Sequence, residues 1–232
     1  MSETLSENVI INGPEYLKAH PEELPWDTVP VDGKVPTKRT FHRMGLLGNQ
    51  VFVFGGGISA VQYSNQLHVY SFDTHSWDLS ISSTGEKTSQ IAGHSFNVVG
   101  NKMFLFGGRN AIQTSSELYS FDTATKEWKI VRKLKTPRCY HTSTLLEDGK
   151  TLFLFGGSSN KGRNEFLNSI ELVNTVNGDS KIIEPSSNAP SPRMNHGATL
   201  VGNKIFVWGG KDAENHFNDL FSFDTSSSSL SV

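Results

Sequence analysis

The sequence predicts an all-β chain built from repeated four-stranded units, and three observations carry that prediction. An apolar, aromatic-rich strand runs into a double glycine four times: Val51-Phe52-Val53-Phe54-Gly55-Gly56, Lys102-Met103-Phe104-Leu105-Phe106-Gly107-Gly108, Thr151-Leu152-Phe153-Leu154-Phe155-Gly156-Gly157 and Lys204-Ile205-Phe206-Val207-Trp208-Gly209-Gly210. The first glycines are 52, 49 and 53 residues apart, a period near 50 that marks a repeat architecture. A histidine precedes each pair in phase, as His42, His94, His141 and His196, 13 residues upstream in three copies and 15 in the third.

The rest of each unit keeps the same phase. Arg39, Arg138 and Arg193 stand three residues before their histidines, and the second copy has Ile91 there. Downstream come Phe72-Asp73, Phe121-Asp122 and Phe223-Asp224, then Trp77 and Trp128 in the first two copies. The third copy departs, with Val173-Asn174 and Ile182-Ile183. Together these motifs resemble the kelch repeat, over roughly Trp26 to Val232. The resemblance implies a kelch-type β-propeller with four recognisable four-stranded blades.

Taken in order, residues 1–25 form an acidic extension, with Glu3, Glu7, Glu15, Glu22 and Glu23 against Lys18. They read as a partly ordered tail. Kelch repeats follow over 26–232, with blades at about 39–80, 91–131, 138–184 and 193–232. Trp26 stands 16 residues before His42, as Trp77 stands 17 before His94, so it takes the last-strand position of a blade whose first three strands do not precede it. In each blade the first strand follows the histidine. Gly48-Asn49, Gly100-Asn101, Asp148-Gly149 and Gly202-Asn203 supply tight turns in which both central positions are expected at positive φ. The second strand is apolar on both faces, as a strand between neighbouring blades must be. The glycine pair then turns the backbone where no Cβ fits. The third strand alternates and ends at Asp or Asn, and the fourth carries tryptophan at the outer edge. In the tail, alignment on Phe72-Asp73 puts Ser228 at the tryptophan position, with Leu230 and Val232 after it.

Propellers have four to eight blades. Four units plus the Trp26 strand therefore leave three arrangements: the first part of a larger ring, a four-bladed ring closed by the Trp26 strand, or a ring completed by another chain. The sequence favours the first.

Composition narrows the function. Lys+Arg 21 against Asp+Glu 23 gives no basic excess for nucleic acid and no basic stretch for a membrane surface. The single cysteine, Cys139, rules out an internal disulfide. With no signal-like start and no Asn-x-Ser/Thr sequon, this fits a cytoplasmic or nuclear protein.

Four in-phase histidines invite a metal centre on the axis. The preferred reading is structural, each histidine and its arginine satisfying groups within their own blade, because a structural role repeats with the repeat and a catalytic site breaks it. Adjacent Cys139 and Tyr140 point apart on an extended backbone, unlike the cross-linked pair of galactose oxidase, a kelch-like enzyme. The iron-site pattern Glu-x-x-x-Asp-x-x-x-His of kelch-type plant specifier proteins has its nearest match in Glu23, Asp27 and Val31, without the histidine. No cofactor, metal or catalytic set is expected. The kelch resemblance implies a non-enzymatic adaptor or scaffold that holds a protein partner on the loops between strands two and three and between strands four and one. The candidate binding residues are Gln62, Tyr63, Arg109, Asn110, Lys161, Arg163, Asn164, Lys211 and His216. The alternative is a kelch-type enzyme with a metal or small-molecule site near the ring centre.

Overall fold

The computed structural model describes residues 28–79, 81–159 and 165–226. Four antiparallel sheets lie in a compact unit that begins at Val31. Blade 1 holds β1 (Arg43–Leu47), β2 (Gln50–Phe54), β3 (Leu67–Ser71) and β4 (Ser76–Asp78). The short β5 (Thr84–Gly85) pairs in parallel outside blade 2, which holds β6 (Ser95–Val99), β7 (Lys102–Phe106), β8 (Glu117–Asp122) and β9 (Glu127–Lys133). Blade 3 holds β10 (Thr142–Leu145), β11 (Thr151–Phe155), β12 (Ile170–Asn174) and β13 (Ser180–Ile183). Blade 4 shows β14 (Gly197–Val201), β15 (Lys204–Trp208) and β16 (Leu220–Asp224). The innermost strands pack in series, β1 on β6, β6 on β10 and β10 on β14, which is a propeller of four blades. Among the described residues no helix is long and apolar enough to cross a membrane.

The second strands of blades 2 and 3 are buried on both faces because a blade lies on each side. Phe54, Leu105, Phe106, Leu152, Phe153 and Leu154 are all in the core. The packing is between blades rather than inside them. Trp128 of blade 2 lies 5.3 Å from the Phe54 ring of blade 1 and 4.8 Å from its own Phe121. The equivalent space between blades 3 and 4 holds Phe153 against Phe223 at 5.2 Å. A cavity of about 270 Å³ is left there, lined by Phe155, Ile170, Val207 and Phe221 among others.

Two sequence expectations are corrected by the register. In the tight turns only the glycine has positive φ (Gly48 57°, Gly100 60°, Gly202 53°), while the asparagine after it does not. A left-handed first position is the type II′ arrangement, which also follows strand twist. The Phe-Asp motif is likewise not equivalent throughout. Phe121 and Phe223 pair with Met103 and Ile205, but in blade 1 Tyr70 takes that place opposite Val51. Phe72 lies two residues further on, exposed, its N–H donating to Asn49 O at 3.1 Å as Thr123 donates to Asn101 O. The two fourth-strand tryptophans each pair with the residue seven positions earlier, Trp77 with Tyr70 and Trp128 with Phe121. The same spacing from Phe223 falls on Leu230 rather than Ser228. Both positions, like Trp26 and the 1–25 extension, lie outside the described residues.

The glycine pairs join one blade to the next. Gly107 has φ +68°, and a Cβ there would lie 2.2 Å from Arg138 O and 3.1 Å from His141 Cε1 of blade 3. At Gly108 (φ +88°) a Cβ would lie 2.9 Å from Cβ of His94, in the same blade. The first glycine therefore makes room for the next blade's histidine and the second for its own. The second glycine also donates its N–H across the junction: Gly56 to Ile91 O (2.8 Å), Gly108 to Arg138 O (2.9 Å) and Gly157 to Arg193 O (2.8 Å).

Candidate binding face

The connections between strands two and three, and between strands four and one, emerge at the same end of every blade. There each blade adds a small three-part ladder built from single bridges. Thr40, Gly57 and Tyr63 pair in blade 1, and Ala92, Arg109 and Thr114 in blade 2. Cys139, Ser158 and Phe166 pair in blade 3, and Met194, Lys211 and His216 in blade 4. Four of the sequence candidates thus fall on two equivalent positions: Arg109 and Lys211 in the middle row, Tyr63 and His216 in the outer row. Gln62 is exposed beside Tyr63.

Asn110 has a different role from the one expected. Its Oδ1 accepts from the N–H groups of Ile112 (2.8 Å) and Gln113 (3.0 Å), which folds the loop tip. Asp212 does the same for Glu214 and Asn215 in blade 4. A side chain engaged in its own Asx turn is a poor anchor for a partner. Lys161, Arg163 and Asn164 lie outside the described residues.

The face also carries residues that sequence reasoning did not select. The residue before each histidine is left-handed: Phe41 (φ 54°), Gly93 (67°), Tyr140 (57°) and Asn195 (56°). These four form a backbone chain around the axis. Gly93 N–H donates to Phe41 O (3.0 Å), Tyr140 N–H to Gly93 O (2.7 Å) and Asn195 N–H to Tyr140 O (3.0 Å). Because Gly93 has no Cβ, the Tyr140 ring lies over it, where a Cβ would meet ring atoms at 2.6 Å. Tyr140 then meets Phe41 edge to face, with ring centroids 5.2 Å apart. Phe41 is 46% exposed and Tyr140 half-buried. Burial holds the Tyr140 phenol above its ordinary pKa, with the neighbouring Cys139 adding to the rise and the positive charge of Arg109 opposing it. Val61 and Ile112, at the tips of two of the loops, are exposed. The signal for this group was an aromatic in the slot just before the histidine, a slot whose left-handed backbone the sequence did not announce.

The backbone at Tyr140 is left-handed rather than extended, and the Tyr140 ring lies over Gly93 of blade 2. The Cys139 thiol is buried and bonds Ser158 O, and burial pushes its pKa up to about 11, which makes it inert.

The histidines do not serve their own blades as expected. His94, His141 and His196 each stack edge-on against the aromatic that ends the previous blade's second strand, namely Phe54 (5.5 Å), Phe106 (5.3 Å) and Phe155 (5.1 Å). Thr142 Oγ1 of blade 3 lies 2.9 Å from His196 Nε2 of blade 4. Burial lowers the pKa of His94 to about 3 and of His196 to about 4, and holds His141 well below the ordinary value, so all three are neutral. Among the described residues no three of His, Cys, Asp and Glu come together as a metal-binding group.

The arginines do act within their own blades. Arg39, Arg138 and Arg193 donate to the carbonyls of Gly55 (3.0 Å), Gly156 (3.1 Å) and Gly209 (2.9 Å). Arg138 pairs with fully buried Glu171 at 3.5 Å, and Arg193 with Asp219. In blade 2 both partners are replaced: Ile91 stands for the arginine and Tyr119, across from Leu105, for the acid.

Comparison with known proteins agrees with this geometry. A family profile described as the KLHDC2/KLHL20/DRC7 Kelch-repeats domain matches residues 12–135 and 129–232. Kelch domain-containing protein 3 of Rattus norvegicus is 30% identical over 204 residues, covering 80% of this chain and 51% of that protein. N-(sulfonatooxy)prop-2-enimidothioate sulfolyase of Thlaspi arvense is 29% identical over 188 residues, 77% of this chain and 53% of that protein. Host cell factor of Drosophila melanogaster is 29% identical over 211 residues, 80% of this chain and 14% of that protein. The chain spans about half the length of the first two of these relatives, or less of the third. With four in-phase blades, glycine–histidine junctions and a profile that spans nearly the whole sequence, the chain belongs to the kelch-repeat family.

Proposed function

We propose that this chain is a non-enzymatic kelch adaptor or scaffold that holds a protein partner on the face formed by Phe41, Tyr140, Val61, Tyr63, Ile112 and Arg109. One observation carries the reading. Two bulky aromatics, Phe41 and Tyr140, stand at positive φ beside the axis, where blade 2 uses glycine. A left-handed backbone costs a non-glycine residue about 1–2 kcal/mol, and Phe41 spends much of its ring on solvent. Strain held at an exposed aromatic contributes nothing to the core, and such outliers cluster at functional sites. Exposed aromatics beside one cation and the apolar loop tips Val61 and Ile112 are the composition of an interface hot spot. Lys211 and His216 extend the face across blade 4.

The relatives support a binding role through the kelch domain-containing proteins and host cell factor. The sulfolyase name belongs to the Thlaspi protein. A cytoplasmic or nuclear setting is part of the same proposal, resting on the lone reduced cysteine. The test is quantitative affinity capture with the wild-type chain and with the triple variant Phe41→Ser, Tyr63→Ser, Arg109→Ser. Partners enriched by the wild type are expected to fall at least tenfold on the variant while its thermal midpoint holds. An unchanged partner set would overturn the assignment of this face.

A further inference from the structure

The third-strand slot beside the arginine that precedes each histidine is filled differently in every blade. Register makes His68, Tyr119, Glu171 and Phe221 equivalent, since they pair with Val53, Leu105, Leu154 and Val207, each two residues before its blade's first glycine. Blade 2 has no arginine to hold, with Ile91 in its place. In blade 3 Glu171 meets Arg138 as an ion pair. In blade 4 Arg193 lies over the Phe221 ring and takes its acid, Asp219, from two residues earlier. In blade 1 Arg39 Nη2 lies 2.9 Å from Nε2 of buried His68, and His68 Nδ1 lies 3.1 Å from Leu79 O. Leu79 O can only accept, so Nδ1 carries the hydrogen; Arg39 can only donate, so Nε2 offers its lone pair. An acid holds its arginine by being charged, whereas His68 holds Arg39 only while uncharged.

Arg39 joins the two halves of blade 1's share of the binding face. Its Nη1 donates to Gly55 O at 3.0 Å, and its Nε to Thr37 O at 3.1 Å. Thr37 leads to Phe41, and Gly55 leads to the loop that carries Val61 and Tyr63. Next to the arginine, Thr40 and Gly57 share a reciprocal pair of N–H···O bonds, 2.9 and 2.8 Å long.

We infer that His68 and Arg39 form an acid-sensitive latch: a solvent proton added at His68 Nε2 takes the lone pair that receives Arg39, sets an imidazolium against a guanidinium, and frees the Thr37–Phe41 segment from Gly55. The consequence for a partner, release on acidification, rests on the face proposed above. Burial and the Arg39 charge hold the His68 pKa below its ordinary value, while the bond to Leu79 O and the Asp78 carboxylate on β4 oppose them. The folded value lies below the unfolded one, so the neutral latch supports the fold above about pH 6.5 and loses that support as pH falls. Blade 4 provides the contrast, because hydrogen bonding from Arg193 holds the Asp219 carboxylate below its usual range and keeps that clamp charged in mild acid.

The experiment is amide hydrogen exchange on the full chain at about pH 7.5 and about pH 5, on either side of an ordinary histidine, corrected for the intrinsic effect of pH. Thr40 and Gly57 report on blade 1. Met194 and Lys211, which share the same reciprocal bonds at 2.9 Å in blade 4, are the internal reference. On acidification, protection at Thr40 and Gly57 is expected to fall about tenfold or more relative to that reference. In His68→Gln, whose Oε1 can accept from Arg39 while Nε2 donates to Leu79 O, the fall is expected to vanish. Unchanged relative protection in the wild type would overturn the inference, whether or not the variant folds. An equal fall in His68→Gln would also overturn it. The readout needs no partner, so its failure leaves the proposed face to the capture experiment, and failure of that experiment leaves the latch intact.

Discussion

Replacing Gly107 with alanine tests whether the glycine pairs exist for backbone conformation or for space. Gly107 and Gly100 share a left-handed backbone, φ +68° and +60°. At Gly100 a Cβ would have nothing within 4 Å, whereas at Gly107 it would lie 2.2 Å from Arg138 O, a backbone atom of the next blade. Gly100→Ala therefore carries only the left-handed cost, about 1 kcal/mol. Gly107→Ala adds an overpacking cost of roughly 1–3 kcal/mol, because the carbonyl it meets belongs to an inter-blade junction and has little freedom to move. For a domain of this size 1 kcal/mol shifts the thermal midpoint by roughly 2–4 °C. The expected losses are about 2–4 °C for Gly100→Ala and about 4–16 °C for Gly107→Ala, read by tryptophan fluorescence. Equal shifts for the two variants would refute the claim that the junction lacks room.

Arg138→Ala should lower stability by about 3–5 kcal/mol, because it strands the buried Glu171 carboxylate. The double variant Arg138→Ile, Glu171→Tyr, which copies blade 2, should recover most of that loss in a urea titration. Acid should destabilise the fold from about pH 6.5 downward. His94 and His196, with folded pKa values near 3 and 4, refuse protons that the unfolded chain accepts, so falling pH favours unfolding. Each should contribute a slope of about 1.4 kcal/mol per pH unit between its folded and unfolded values. His196→Gln should flatten the dependence of the urea midpoint on pH; an unaltered slope would contradict the burial argument. Trp128→Ala, which empties the space between Phe54 and Phe121, should cost about 3–5 kcal/mol in the same titration.

Much of the fold was legible in the sequence because its signals are local and repeated. The double glycines, the turn glycines and the two tryptophans each report a backbone or packing demand made four times, or twice, in phase. What stayed hidden depends on neighbours distant in sequence. Arg39 and Arg138 bond within their own blades as expected, but the histidines pack across the junction, a fact set by inter-blade spacing rather than by any single repeat. Phe72-Asp73 matches Phe121-Asp122 by eye, yet strand pairing sets Tyr70, two residues earlier, opposite Val51 and gives it the core position. On the candidate face, Tyr63, Arg109, Lys211 and His216 were accessible as polar loop residues. Phe41 and Tyr140 were not, since their exposure follows from a left-handed backbone that aromatics rarely adopt. The turn that Asn110 closes was not legible, because an asparagine that closes its own turn has the same sequence appearance as one that is free.

The proposed protein partner sits on the face of Phe41, Tyr63 and Tyr140. The most direct test incorporates a photo-crosslinking phenylalanine at Tyr63, and separately at Val176, which is exposed on a turn at the opposite end of the blades. A discrete crosslinked partner is expected from position 63 and none from position 176. Crosslinking from 176 alone, or equally from both, would contradict it.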